Sequence, residues 1–106
     1  MPSTSDSIET EIIEVLANLF RGAEAVGGKL KVTTKRLIFS SHSFNFQRGI
    51  TEILMKDIES FKFANSLFVI PNKLIIKLKN RTEYAFVLNN RAVIAKLISD
   101  YHNGVY

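Results

Sequence analysis

The chain has 106 residues, of which 46% are hydrophobic and 23% charged. That is one ordinary domain with enough apolar material for a core, and it excludes intrinsic disorder. With no cysteine, disulfide frameworks, thiolate metal sites and cysteine nucleophiles are excluded as well. The net charge of +4 is unevenly spread: residues 1–24 hold Asp6, Glu9, Glu11, Glu14 and Glu24 against Arg21, whereas residues 25–106 carry a basic excess. Such an excess attracts phosphate-bearing surfaces, or it does no more than keep a surface solvated.

Residues 1–7, rich in Ser, Thr and Asp, read as a flexible tail, and 8–106 as a single domain. The opening "MPSTSDSIETE" has neither the basic n-region nor the apolar h-region of a signal peptide. The longest apolar runs, such as Leu67 to Ile70, are far short of the roughly 20 residues that span a bilayer. These features point to a cytoplasmic protein, with the inner face of the membrane as a peripheral location.

From Ile8 onward two periods compete. Ile8, Ile12, Val15, Leu16 and Leu19 fit one face of a helix, while Ile13, Val15, Ala17 and Leu19 alternate as in a strand. "GGKLKVTTKRLIFSS" is unambiguous: Leu30 and Val32 point one way and Lys29, Lys31 and Thr33 the other. Thr34 and Lys35 make a turn, and Leu37 and Phe39 return on one face as the second arm of a hairpin. "SHSFNFQRG" reads as a loop. "TEILMKDIESFKFAN" reads as two short strands about a bend at Lys56 and Asp57, with Ile53, Met55 and Ile58 as core candidates and Phe61 and Phe63 after them. "SLFVIPN" is apolar but interrupted by Pro71, which donates no ladder hydrogen bond.

A second hairpin follows, with Leu74, Ile76 and Leu78 on one face and Tyr84, Phe86 and Leu88 on the face of its partner. Its turn lies at Asn80 and Arg81, where Asn suits positive φ. The period then changes. Asn90 is a natural N-cap, Val93, Leu97 and Tyr101 form a stripe with Ile94 and Ile98 beside it, and Gly104 suits a C-cap. The order is about seven strands and one C-terminal helix from about Asn90 to His102. An antiparallel meander of that kind curls toward a barrel, with the apolar helix face as its cap.

The stretch "ANLFRGAEAVGGKLKVTTKRLIFSSHSFNFQ" resembles the signature of GRAM domains, in particular the small bacterial type. The matching pieces are Ala17 to Gly22, Gly27 to Leu30, Thr33 to Phe39 and Ser41 to Gln47, with Asp57 and Ile58 matching a later Asp-Ile. The likeness covers roughly residues 12–99, specific in the first half and generic in the second. It implies a pleckstrin-homology-like fold: a mainly β, curved antiparallel seven-stranded barrel capped by a C-terminal α-helix. It also implies that residues 12–20 are strand. Functionally it implies a non-catalytic binding module, either a protein-interaction adaptor or a binder of membrane lipids. Pleckstrin-homology domains that bind inositol phosphates use basic residues in the first hairpin, but here "RGAEAVGG" offers Arg21 alone.

Two segments are candidate contacts. The basic set Lys29, Lys31, Lys35 and Arg36 would meet an anionic lipid surface or a partner, or it is a solvated strand exterior. Each such cation near an anionic bilayer contributes about 1 kcal/mol. The apolar run Leu67, Phe68, Val69 and Ile70 would enter an interface or cover the barrel mouth. Catalysis is not expected. Ser41, His42 and Ser43 alternate in direction along an extended chain, so no base is held against a nucleophile. Neither a metal nor a cofactor is expected, nor a small-molecule substrate. Nucleic acid, stacked on Phe44, Phe46 or Phe68, ranks last among the partners.

Overall fold

Leu30, Val32, Leu37 and Phe39 are all buried, while on the opposite face Lys29 and Ser40 are exposed and Lys31 and Ile38 half-buried. The alternation in sequence has become a pleated hairpin with one wet face. The computed structural model describes residues 8–22, 24–42, 49–66 and 70–102. Its elements are β1 (Glu11–Arg21), β2 (Glu24–Thr33), β3 (Arg36–Ser41) and β4 (Ile50–Leu54), a single 3-10 turn (Met55–Asp57), then β5 (Ile58–Ser66), β6 (Ile70–Leu78), β7 (Glu83–Val87) and α1 (Arg91–Tyr101).

The competition over residues 8–20 is won by period two. Ala17 and Leu19 are buried, and Ile13 and Val15 pack against the core. Three members of the helical set, Ile8, Ile12 and Leu16, are left at the surface. A ten-residue ladder with β2, from Arg21↔Glu24 to Glu11↔Thr33, satisfies the backbone. It is interrupted only by a bulge at Ile12, where the pairing steps from Glu11↔Thr33 to Ile13↔Val32.

All neighbouring strands are antiparallel, in the order β4-β3-β2-β1-β7-β6-β5. The two halves of the sheet meet through β1 and β7, which share only the pairs Asn18↔Val87 and Leu19↔Phe86. The sheet turns over on itself at this narrow seam. Phe39 of β3 and Phe86 of β7 then meet across the interior, ring centroids 5.9 Å apart and tilted by 58°. Such a tilted pair adds about 0.5–1.5 kcal/mol to the burial of both rings. β4 and β5 follow each other through the 3-10 turn without pairing, so the barrel stays open there. Ile53, Met55 and Ile58 around that turn are buried, as their spacing predicts.

Several local expectations are corrected. Thr33 does not face water: its hydroxyl is buried and organises the β2–β3 turn. In the β6–β7 turn the residue with positive φ is Arg81 (φ 78°), not Asn80. Asn80 instead accepts the Thr82 N–H with its side-chain oxygen at 3.0 Å, an Asx turn that leaves Arg81 to take the left-handed conformation. Phe61 packs against the core, but Phe63 is half exposed beneath the Arg91 guanidinium, 4.4 Å from its ring centroid. In α1 the buried face is Ile94, Ala95 and Ile98, with Leu97 and Tyr101 at its margin and Val93 turned outward at 47% exposure. The stripe is therefore centred one residue later than the i, i+4, i+8 series through Val93. Asn90 occupies the N-cap position, but no side-chain capping bond is made. Gly104 lies outside the described residues.

Candidate interaction surfaces

Strand geometry places Lys29 and Lys31 on the outer face of β2, two residues apart and therefore about 6–7 Å along the strand. Lys35 lies in the β2–β3 turn and Arg36 opens β3. The four candidates share one region of the surface but not one electrostatic state. Arg36 is held by two carboxylates: Nε and Nη2 donate to Glu9 at 2.7 and 3.0 Å, and Nη1 donates to Glu52 at 2.5 Å. Those bonds hold the guanidinium above its ordinary value. The Arg36 bonds, then the Thr33 hydroxyl, hold the Glu9 carboxyl below the usual glutamate range. Lys31 lies 3.6 Å from Glu11. No described carboxylate pairs with Lys29 or Lys35. The acidic N-terminal stretch thus folds back over part of the basic set, and Arg36 is ion-paired at the surface.

The network around Arg36 is built locally and closed from a distance. The Thr33 Oγ1 accepts the N–H groups of Lys35 and Arg36, each at 3.0 Å, and donates to Glu9 Oε2 at 2.6 Å. Thr10 N–H donates to Thr34 Oγ1 at 3.2 Å, and Thr34 N–H donates to the Thr10 carbonyl at 2.9 Å. Glu9 and Thr10 are thereby fixed beside a turn more than twenty residues away in the chain.

The outer face also carries apolar residues that sequence reasoning did not single out. The pairings Leu16↔Lys29, Lys29↔Ser40 and Ser40↔Ile50 place one cross-strand row over β1, β2, β3 and β4. Leu16 and Ile50 end that row at 68% and 70% exposure, about 14 Å apart at the usual strand spacing. The surface is thus an apolar pair flanking Lys29. Its signal in the sequence was the second set of apolar residues in β1, the one that period two leaves outside.

The other candidate contact falls elsewhere. Leu67, Phe68 and Val69 lie outside the described residues, and Ile70 opens β6. Phe44 and Phe46 are outside them too. His42 is exposed just after β3, and its N–H donates to the Gly27 carbonyl at 2.9 Å. Among the described residues no group of three or more His, Asp or Glu is placed to hold a metal ion, and no helix is long and apolar enough to cross a membrane.

Neither a protein-family profile nor a curated protein matches the sequence. Solved structures do match in fold. The C-terminal domain of an unknown protein from Leishmania infantum superposes with a TM-score of 0.74 at 16% identity, covering 89% of this chain and 84% of that one. The Vps36 N-terminal PH domain superposes at 0.65 and 14% identity, covering 87% and 80%. The linker-DH/PH domains of p115-RhoGEF superpose at 0.68 and 8% identity, covering 92% of this chain and 30% of that one. At these identities the likeness concerns architecture, and the architecture of this chain is that of a pleckstrin-homology-like domain.

Proposed function

We propose that the chain is a non-catalytic binding module of the pleckstrin-homology-like superfamily, of the small bacterial GRAM type, whose ligand is another protein. The observation that supports protein over lipid is the fate of the positive charge. Arg36 is committed to Glu9 and Glu52 and Lys31 is beside Glu11, while the same face exposes Leu16 and Ile50 around Lys29. Large apolar residues edged by a few charges suit a protein interface better than an electrostatic footprint does. The outer edges of β4 and β5, the end strands of the sheet, pair with no described strand and add backbone groups that would accept a partner strand.

The deciding experiment is capture from cell lysate with and without about 0.5 M salt, where the Debye length is roughly 4 Å. A protein retained at high salt and lost in the double variant Leu16→Ser, Ile50→Ser supports this reading. Capture that vanishes with salt and leaves only lipid or RNA overturns it. A second reading rests on Lys29 and Lys35, the two cations without a described carboxylate: weak peripheral binding to an anionic membrane. Two such residues contribute about 2 kcal/mol together.

A further inference from the structure

The narrow seam between β1 and β7 leaves an opening beside the exposed row, with which it shares Leu16. β1 pairs with β2 along nearly its whole length, but on its other side it meets β7 only at Asn18 and Leu19. Among the described residues no strand flanks β1 there before Asn18. The chain that would have continued the ladder turns off: β7 ends at Val87, Leu88 N–H donates to the Asn72 carbonyl at 3.0 Å, and Asn89 leads into α1. Between the β1–β2 hairpin and this connection lies a cleft of about 410 Å³, within the usual size range of ligand sites.

Its chemistry differs from that of the surrounding surface. Among the described residues no Asp, Glu, Lys or Arg lines it, although 23% of the chain is charged, so its described lining would recognise a ligand through neutral groups. Three carboxamides, Asn18, Asn72 and Asn89, and the His42 imidazole supply its side-chain polar groups. A carboxamide offers a donor and an acceptor together, the same pair that a peptide group presents. The two glycines in the cleft have different reasons to be there. A Cβ on Gly28 would collide with the Ser40 carbonyl and the Phe39 ring, so sheet packing alone requires that glycine. A Cβ on Gly27 would meet only the Asn18 side-chain oxygen, at 3.1 Å. That glycine keeps the floor open beneath Asn18 and is not explained by the fold.

We infer that this cleft binds a short, extended, uncharged peptide segment of a partner protein. The segment would be gripped by the Asn18 and Asn89 carboxamides and by the β1 edge at Leu16 and Ala17. The inference rests on the protein-interaction reading and locates a binding site within it. Recognition through neutral hydrogen bonds makes the affinity insensitive to salt, and one lost carboxamide would weaken it several-fold, up to about tenfold.

The test is selection from a phage-displayed library of random linear peptides, with the enriched peptides then titrated into the isotope-labelled chain. The expected result has three parts. The side-chain amide signals of Asn18, Asn72 and Asn89 shift. Affinity changes less than about twofold between about 0.1 and 0.5 M salt. Binding weakens in Asn89→Ala and is lost in Gly27→Val, both variants first shown to melt as the parent does; Asn89→Ala alone decides if Gly27→Val does not fold. Peptides that bind both variants unchanged, or that shift β4 or β5 signals instead, overturn the cleft but leave the protein-interaction module standing. A library without enrichment also overturns the cleft, while the module is judged separately by salt-resistant capture from lysate.

Discussion

Thr33 shows how one hydroxyl decides a turn. Its oxygen is buried, accepts two backbone N–H groups and donates to Glu9. Thr33→Val preserves shape and removes all three bonds, so chemical denaturation should show a loss of about 1–2 kcal/mol. An unchanged midpoint would mean that water replaces the hydroxyl without cost. The Glu9 carboxyl, held low first by its bonds to Arg36 and then by Thr33, gives a pH dependence of known sign. The folded state favours the ionised form, so the stabilisation is present above the ordinary glutamate value of about 4.3. It is lost as pH falls through the lower folded-state value. Glu9→Gln should therefore be less stable than the parent at neutral pH, and the difference between them should shrink in acid. A difference that stays constant would rule out the ion pair as its origin. Arg81 is the converse case: a side chain held at φ 78° without need. Arg81→Gly should raise stability by up to about 1 kcal/mol, because a left-handed residue with a Cβ costs roughly 1–2 kcal/mol that glycine avoids, offset by the entropy glycine loses.

At the scale of elements, what could be read from the sequence depended on how local the deciding physics was. The two hairpins were legible because alternation over five or more residues already states which side faces in, as at Leu30 and Val32 or Leu74 and Ile76. β1 was not legible from periodicity, since its apolar residues fit two periods. Ladder pairing with β2 decides between them, in line with the strand that the resemblance to GRAM domains implies for residues 12–20. The Arg36 network was illegible for another reason: Glu9 and Glu52 lie 27 and 16 residues away in sequence, and only the closed fold brings them together. In α1 the helix itself was evident but its rotation was not, because Val93 and Ile94 are equally apolar and only contact with the sheet selects between them. Ile98→Ala should accordingly cost about 2–4 kcal/mol through the cavity it leaves. Val93→Ala should cost under about 1 kcal/mol, as read from paired thermal melts. Equal losses at both positions would mean that the helix is rotated relative to the face described here.

For the whole molecule, the informative property is how the charge is arranged after folding. An acidic N-terminal stretch and a basic remainder would give a strong field if they stayed apart. Folding instead places Glu9 and Glu11 against Arg36 and Lys31, so the net charge of +4 is spread thinly and only Lys29 and Lys35 of the candidate set lack a described carboxylate. Attraction to an anionic bilayer should then be weak, about 2 kcal/mol from those two residues. The described residues place no buried, hydrogen-bonded pocket around them to select one headgroup. Flotation with vesicles should therefore follow phosphatidylserine or phosphatidylglycerol content, with little preference among phosphoinositides. It should fade past roughly 0.3 M salt, where the Debye length drops below about 6 Å. The ion pairs add a sharper expectation. Lys29→Ser with Lys35→Ser should remove as much binding as the quadruple variant that also replaces Lys31 and Arg36, because the latter two are already neutralised. Retention by the double variant and loss in the quadruple one would show that the carboxylates release Lys31 or Arg36 at a membrane, making those ion pairs a latch rather than a clamp. Full retention by the quadruple variant would remove the lysines from membrane binding altogether and leave the outer face to a protein.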